Sequence, residues 1–212
     1  MTIMEEARPA ARVAGGQYRG PIIAAAIDIT AREGWSAVTM ARLADVVGVS
    51  RQTVYNEVGS KPSLAEAMVA HELDRFLAVV RGAFDRHPDD LPEAIHDAAR
   101  GVLELAGDNV LLRAVASATH GSDTELLPLL TTRADTLVAE AATFVASRVR
   151  AYRSGLADEQ TDVLIDTLVR TVLSHVVQPS ATPGRTADGL AWLTARVLDD
   201  RRPEAPLRYR GR

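Results

Sequence analysis

An all-α protein of about nine helices, with a three-helix head and a larger helical body, is what the sequence predicts. Three observations carry that expectation. Apolar residues recur three and four apart in segment after segment. No stretch shows the period-two alternation of a half-buried strand. The apolar content, 47% of 212 residues, is mostly Ala, Leu and Val with aromatics at only 4%, a mix that favours helices and is ample for a core.

Residues 1–16 read as a mobile tail. Two early glutamates, Glu5 and Glu6, and the lack of an apolar run of seven or more distinguish them from a signal peptide. From Tyr18 the positions Ile22, Ile23, Ala26, Ile27 and Ile29 define a first helix that Gly34 stops. Thr39 caps a second helix reaching Val47, and Gly48 supplies the left-handed residue that ends it. Ser50 caps a third, short and polar, running to about Val58. Ser60 caps a long fourth helix with Pro62 in its first turn, continuing through Leu64, Met68, Phe76, Val80 and Phe84 to about His87, before Pro88.

Further helical segments are expected at 91–106, 109–119, 124–154, 158–177 and 186–200, with Gly107, Gly121 and Gly155 at the breaks. Residues 201–212, RRPEAPLRYRGR, are basic, proline-broken and expected to fray. The organisation expected is a tail at 1–16, a helix-turn-helix domain at 17–60, a helical body at 61–200 and a second tail at 201–212.

Composition narrows the function. There is no cysteine, which excludes disulfides, thiol catalysis and Cys-based metal sites. No run approaches 18 apolar residues, so no membrane span is expected and a cytoplasmic protein is the default. The net charge of −4 is uneven: residues 1–61 carry 7 basic and 6 acidic groups, residues 62–212 carry 17 and 22. A basic-leaning head before an acidic body fits an anionic partner at the head. Of the five histidines, only His96 completes a Glu-x-x-His motif, with Glu93. A carboxylate-bridged metal site needs that motif twice, with two more glutamates. No metal, no cofactor and no enzymatic activity are therefore expected.

The chemistry concentrates between Thr39 and Lys61. Two short helices joined through a Gly turn form a helix-turn-helix skeleton. Ala44 is small where the helices cross, Leu43 anchors the first of them, and Val49 and Val54 anchor the second. The exposed residues of the second are Arg51, Gln52, Thr53, Tyr55 and Asn56: Arg suits guanine, and Gln or Asn suits adenine. Arg51 and Gln52, nearest the helix start, are assigned to base reading. Lys61 is the one lysine among 24 basic residues and stands at the start of the fourth helix beside Ser60, where backbone N–H groups and the helix dipole already attract phosphate. Thr39 and Ser50 can serve neighbouring phosphates in the same way.

The run Ile22, Ala25, Ala26, Gly34, Thr39, Met40, Ala41, Leu43, Ala44, Gly48, Val49, Ser50, Tyr55, Ser60, Lys61 and Leu64 resembles the TetR family of transcriptional regulators over about 45 residues of the head. The body resembles the family in helix count and order. The resemblance implies a homodimer that binds a palindromic operator on double-stranded DNA and is released by a small molecule held in the body. Two positions depart from the family pattern. Glu57 stands where a phosphate-contacting His or Tyr is common, and Val58 where Phe is usual. A carboxylate repels phosphate, so Glu57 is expected either to turn toward an arginine or to meet a cytosine amino group.

Two sets of body residues follow from that reading. Phe76, Val80, Leu103, Val115, Leu130, Leu137 and Phe144 are expected to line an effector cavity beside the fourth helix, greasy enough for an apolar or long-chain molecule. His120 and Arg113 are candidates for a polar end such as a carboxylate; the alternative for His120 is a core histidine, and for Arg113 a side chain that faces solvent. His175, among Val172, Leu173, Val176 and Val177, reads as a core histidine or a ligand contact. The broad apolar faces of the last two helices, Leu164, Leu168, Val172 and Val176 on one, Leu193 and Val197 with Trp192 on the other, either close the core or form a twofold dimer interface; the dimer is favoured. The competing function is a helical protein-interaction scaffold without DNA binding. Such a scaffold needs neither a hydroxyl-rich third helix nor Lys61.

Overall fold

A computed structural model describes residues 16–109, 111–112 and 134–199. Among these residues there are eight α-helices and no strand. They are α1 (Arg19–Glu33), α2 (Met40–Val47), α3 (Arg51–Val58), α4 (Lys61–Arg86), α5 (Leu91–Asp108), α6 (Ala134–Val149), α7 (Asp158–Val177) and α8 (Pro183–Asp199). A single 3-10 turn, Trp35–Ala37, joins α1 to α2. The chain divides into two compact units, Met1–Met68 and Val69–Arg212, with the division inside α4.

The first unit packs α1 against α2 and α3 around Ile22, Leu43, Val54, Leu64 and Met68, all essentially inaccessible to solvent. Burying each such side chain is worth about 1.5–3 kcal/mol. Trp35 closes this core from the 3-10 turn at 4% exposure. Gly34 N–H bonds back to the Thr30 carbonyl, which ends α1 where the sequence places the break.

In the second unit α8 packs against α5, α5 against α7, and α6 against α7. Their apolar faces meet the Val69–Arg86 part of α4 in one core that includes Val80, Phe84, Ile95, Val149, Leu164 and Leu168. Phe84 and Tyr152 meet edge to face, centroids 5.9 Å apart. The Tyr152 hydroxyl donates to the His87 carbonyl at 2.5 Å, satisfying a backbone acceptor just past the end of α4. Burial raises the Tyr152 pKa above its ordinary value.

Three boundaries differ from the sequence expectation. The helix expected to reach residue 154 ends at Val149, because Ala151 and Tyr152 bond back only three residues, to Arg148 and Val149. The last helix begins at Pro183 rather than 186. Thr182 caps it, its hydroxyl accepting from Arg185 N–H at 3.3 Å, and Pro183 takes the first helical position. Helix α5 runs through Gly107 to Asp108. The expected segment 109–119 falls mostly outside the described residues, as do residues 1–15 and 200–212.

One glycine marks a close helix approach. A Cβ on Gly101 of α5 would come within 2.7 Å of Val79 Cγ1 on α4. Gly101→Ala gains about 1 kcal/mol of helix propensity but forces a stiff branched neighbour aside, and overpacking costs about 1–3 kcal/mol. A net destabilisation of roughly 1 kcal/mol is expected by urea unfolding. Gly107→Ala, on the same helix with open space around its Cα, is expected to be neutral or stabilising.

Candidate nucleic-acid interface

The turn between α2 and α3 is built from local signals. The Thr39 hydroxyl accepts from Arg42 N–H at 3.1 Å and caps α2. Gly48, at φ +74, is left-handed, and the Ala44 carbonyl accepts from both Gly48 and Val49 N–H, at 2.9 and 3.0 Å. A non-glycine residue at that φ carries about 1–2 kcal/mol of strain. The Ser50 hydroxyl then accepts from Thr53 N–H at 3.0 Å and lies 2.9 Å from the Thr53 hydroxyl, which starts α3.

Buried Val54 and Val58 fix the rotation of α3 about its axis. That rotation leaves Arg51, Gln52, Tyr55 and Asn56 exposed, with Thr53 half-buried beside them. Gln52 Nε2 donates to Asn56 Oδ1 at 2.9 Å, one turn apart. The bond leaves the Gln52 carbonyl and the Asn56 amino group without a partner among the described residues, an acceptor and a donor set that complements base edges. Among the described residues no hydrogen bond or ion pair engages the Arg51 side chain, which leaves its five donors available. Six of the eight residues assigned from sequence to DNA therefore lie together on α3 and its cap.

Lys61 begins α4, where the Ser60 hydroxyl accepts from Ser63 N–H at 3.3 Å. Its ammonium sits 4.7 Å from the centre of the Trp35 ring. A cation over an aromatic face is held by the ring's quadrupole without being neutralised, so its charge stays available to an anion. Sequence reasoning placed Lys61 but missed this seat, since Trp35 and Lys61 share no local pattern.

Two other contacts were also missed. Arg42 grips the Glu33 carboxylate with both terminal nitrogens, tying α2 to the end of α1. That hydrogen bond lowers the Glu33 pKa and raises that of Arg42. Glu57 does not turn its carboxylate to an arginine: both carboxylate oxygens accept from Gly16 N–H, at 3.0 and 2.9 Å. An arginine is present, but Arg19 Nη1 donates to the Glu57 backbone carbonyl, at 2.7 Å.

In the body the expected effector residues are only partly brought together. Val80, Phe76 and Phe144 join one apolar cluster, with the Arg81 guanidinium 5.4 Å from the Phe144 ring centre. Leu103 is buried and Leu137 half-buried, both outside that cluster. Arg113, Val115, His120 and Leu130 lie outside the described residues. A buried acid that sequence reading passed over, Glu72, accepts from Asn109 Nδ2 at 2.5 Å and from Arg75 at 3.0 Å. His175 is bonded locally: Nδ1 donates to the Thr171 carbonyl at 2.9 Å and Nε2 lies 3.0 Å from the Ser180 hydroxyl.

The residues expected at a dimer face divide between the body's core and its surface. Leu164 and Leu168 are 5% and 4% exposed and belong to the body's own core, because α5 and α6 cover that side of α7. Val172 and Val197 also pack against that core, and Leu193 is half-buried. What faces outward is Val163 at 49%, Val177 at 85% and Trp192 at 62%. Near Glu93, the group that could gather on a cation is His87, Glu93 and Asp97, rather than the Glu93–His96 pair. Asp97 Oδ2 is already taken by His87, at 2.8 Å, and by Arg86, at 3.3 Å. The His87 hydrogen bond leads in holding the Asp97 pKa below the usual carboxylate value.

Two family models match the chain: "Bacterial regulatory proteins, tetR family" over residues 22–68, and "Bacterial Tetracyclin repressor, C-terminal domain" over residues 90–196. The HTH-type transcriptional regulator AlkX of Mycobacterium tuberculosis (strain ATCC 25618 / H37Rv) is 28% identical over 186 residues, 87% of each chain. The crystal structure of the TetR family repressor AlkX from Dietzia sp. strain DQ12-45-1b, described as implicated in biodegradation of n-alkanes, superposes with a TM-score of 0.66. It is 26% identical and covers 84% of this chain and 95% of its own. The R. erythropolis transcriptional repressor QsdR shares the fold with a TM-score of 0.54 at 22% identity, over 85% of this chain and 93% of its own. Among the described residues no helix is long and apolar enough to cross a membrane.

Proposed function

The chain belongs to the TetR family and is a DNA-binding transcriptional repressor; from that premise we propose that it acts in the cytoplasm as a homodimer on a palindromic operator and is released by a small apolar effector. The observation that carries the operator reading is the outward face of α3, where Arg51 is uncommitted and Gln52 and Asn56 are pre-paired at 2.9 Å. In this reading residues 17–60 form the DNA-binding domain and residues 61–200 the effector and dimerisation domain. Thr39, Ser50, Thr53, Tyr55 and Lys61 hold phosphates, while Arg51, Gln52 and Asn56 read bases. A gel shift with the DNA upstream of the protein's own gene tests it: retarded duplex that specific competitor removes more readily than random DNA is expected. Equal competition by both would overturn the operator reading.

The dimer face we propose is the exposed side of α7 and α8, centred on Val163 and Trp192, with Gly189 open beside the latter. Isolated exposed apolar residues are ordinary, but a large one on each of the last two helices suits a self-complementary patch.

The effector proposal rests on Phe76, Val80, Leu103, Leu137 and Phe144, with Val115 and Leu130 beyond the described residues. These side chains offer apolar surface and few flat rings, which suits a long-chain molecule. The n-alkane context of the Dietzia repressor supports that chemistry. Arg113 or His120 would hold a carboxylate if the effector carries one. The effector shifts the operator equilibrium only by its difference in affinity between two states of the dimer. Leu137→Trp is expected to block release by long-chain fatty acids while leaving operator affinity unchanged. Release equal to the wild type would place the effector elsewhere.

A further inference from the structure

The turn that joins α4 to α5 gathers chemistry that operator and effector binding do not use. His87 is the first residue past α4, and its backbone carbonyl is held from two sides. It accepts from the Tyr152 hydroxyl at 2.5 Å and from Asp90 N–H at 3.4 Å. Asp90 then caps α5, its carboxylate accepting from Glu93 N–H at 3.0 Å. Glu93 and Asp97 follow one turn apart, so their carboxylates share a face of α5. His87 meets that face, with Nε2 2.8 Å from Asp97 Oδ2. One ligand atom from each of His87, Glu93 and Asp97 falls within 4.8 Å of the others. All three residues belong to the second compact unit.

These separations suit a divalent ion. Bonds of about 2.0–2.2 Å to imidazole nitrogen and carboxylate oxygen put neighbouring ligand atoms roughly 3–3.5 Å apart. Glu93 is exposed, and rotation of its long side chain closes the remaining gap. The donor set also selects the ion. One imidazole beside two carboxylates suits a borderline transition metal such as Zn²⁺ better than Mg²⁺ or Ca²⁺, which take oxygen ligands.

Two further observations point to the same place. His96 has a buried Nδ1 without a hydrogen-bond partner among the described residues, 3.5 Å from Asp97 Oδ1. Its Nε2 lies 3.2 Å from Asp188 on α8, which orients the ring. Ligating carboxylates are commonly steadied by such an outer donor. Asp97 also holds a cation already. Arg86 reaches Oδ2 through Nε and Nη2 at 3.4 and 3.3 Å, long for charge-assisted bonds, on a side chain 60% exposed. An exposed ion pair of this kind is worth little and gives way to an ion of higher charge.

We propose that His87, Glu93 and Asp97 form a binding site for one borderline divalent cation, with Zn²⁺ the best fit, that His96 is the positioning partner of Asp97, and that Arg86 is the charge the ion displaces. The ion clamps the end of α4 to the first two turns of α5. Helical spacing shows only Glu93 and His96, half of a motif, which is why the sequence predicts no metal; His87 comes from the turn before the helix. The site is independent of the operator reading and stands or falls without it.

The test uses the tag-free full chain after chelator treatment, titrated with Zn²⁺ by calorimetry and with Co²⁺ by visible absorption. One ion per chain is expected, with Co²⁺ bands in the visible and a melting temperature that rises with either ion. His87→Ala and Glu93→Gln are each expected to lose the ion and the bands. Glu93 is exposed, so its variant is expected to keep the wild-type circular dichroism. His96→Ala is expected to weaken affinity about 10–100-fold, and Arg86→Gln to tighten it several-fold. His175→Ala, on α7 and bonded to Thr171 and Ser180, is expected to bind as the wild type does. A wild type that takes up neither ion saturably overturns the site. An ion held at full affinity by His87→Ala or Glu93→Gln overturns the ligand set, and unchanged affinity in Arg86→Gln overturns the displacement.

Discussion

Trp192→Glu is expected to give a folded monomer of about 23 kDa that has lost tight operator binding, whereas Leu168→Glu is expected to unfold the body. The two residues lie on adjacent helices and read alike in sequence, as large apolar side chains on amphipathic segments. Their surroundings differ. Trp192 is 62% exposed, with the Arg196 guanidinium 6.0 Å from its ring centre, so a charge there costs a lone protomer little and costs a twofold interface a central anchor. Leu168 is 4% exposed among Ile165, Val169 and the apolar faces of α5 and α6, so a carboxylate there has no partner. An uncompensated buried charge costs several kcal/mol against a total stability of only about 5–15 kcal/mol. Light scattering and circular dichroism read both outcomes. A Trp192→Glu protein that stays dimeric would put the interface elsewhere, and a helical, cooperative Leu168→Glu protein would contradict the packing of α7.

Arg51→Ala and Gln52→Ala are each expected to cost about 1–3 kcal/mol on the operator and to relax preference at one base position. Gln52→Ala carries a second consequence, because it releases Asn56 from the 2.9 Å bond that orients it; its loss is expected to blur two adjacent positions rather than one. Lys61→Ala belongs to the other class. It is expected to weaken binding to operator and random duplex alike, and to flatten the salt slope by roughly one unit per protomer. Trp35→Leu is expected to mimic it in part, since the ammonium would lose its seat while keeping its charge. Equal losses on specific and random DNA for all three α3 and α4 variants would undo the division of roles.

The head was legible because its determinants are local. Thr39, Ser50 and Gly48 act on residues within one turn of themselves, and each was assigned correctly from spacing alone. The seat of Lys61 on Trp35 and the bond between Gly16 and Glu57 were not legible, because they join residues far apart in the chain and depend on how α1 closes over α3. In the body, periodicity revealed that α7 has an apolar face but not what covers it. Leu164 and Leu168 fit an interface as well as a core until α5 and α6 are seen to bury them. The start of α8 was missed for a different reason: the Thr182–Pro183 cap precedes the first apolar residue of the helix, and the reading was anchored on apolar positions. The overrun past Val149 came from taking Gly155 as the break, whereas Ala151 and Tyr152 already bond back only three residues.

Selection from a pool of random duplexes, with the enriched sequences read out directly, bears hardest on the reading of this chain as a dimeric operator-binding repressor. An inverted repeat is expected, its half-site centres about one helical turn apart or a multiple of it, with two protomers or pairs of protomers bound per duplex. A pool that enriches nothing, or that enriches a single unrepeated half-site occupied by one protomer, would contradict it.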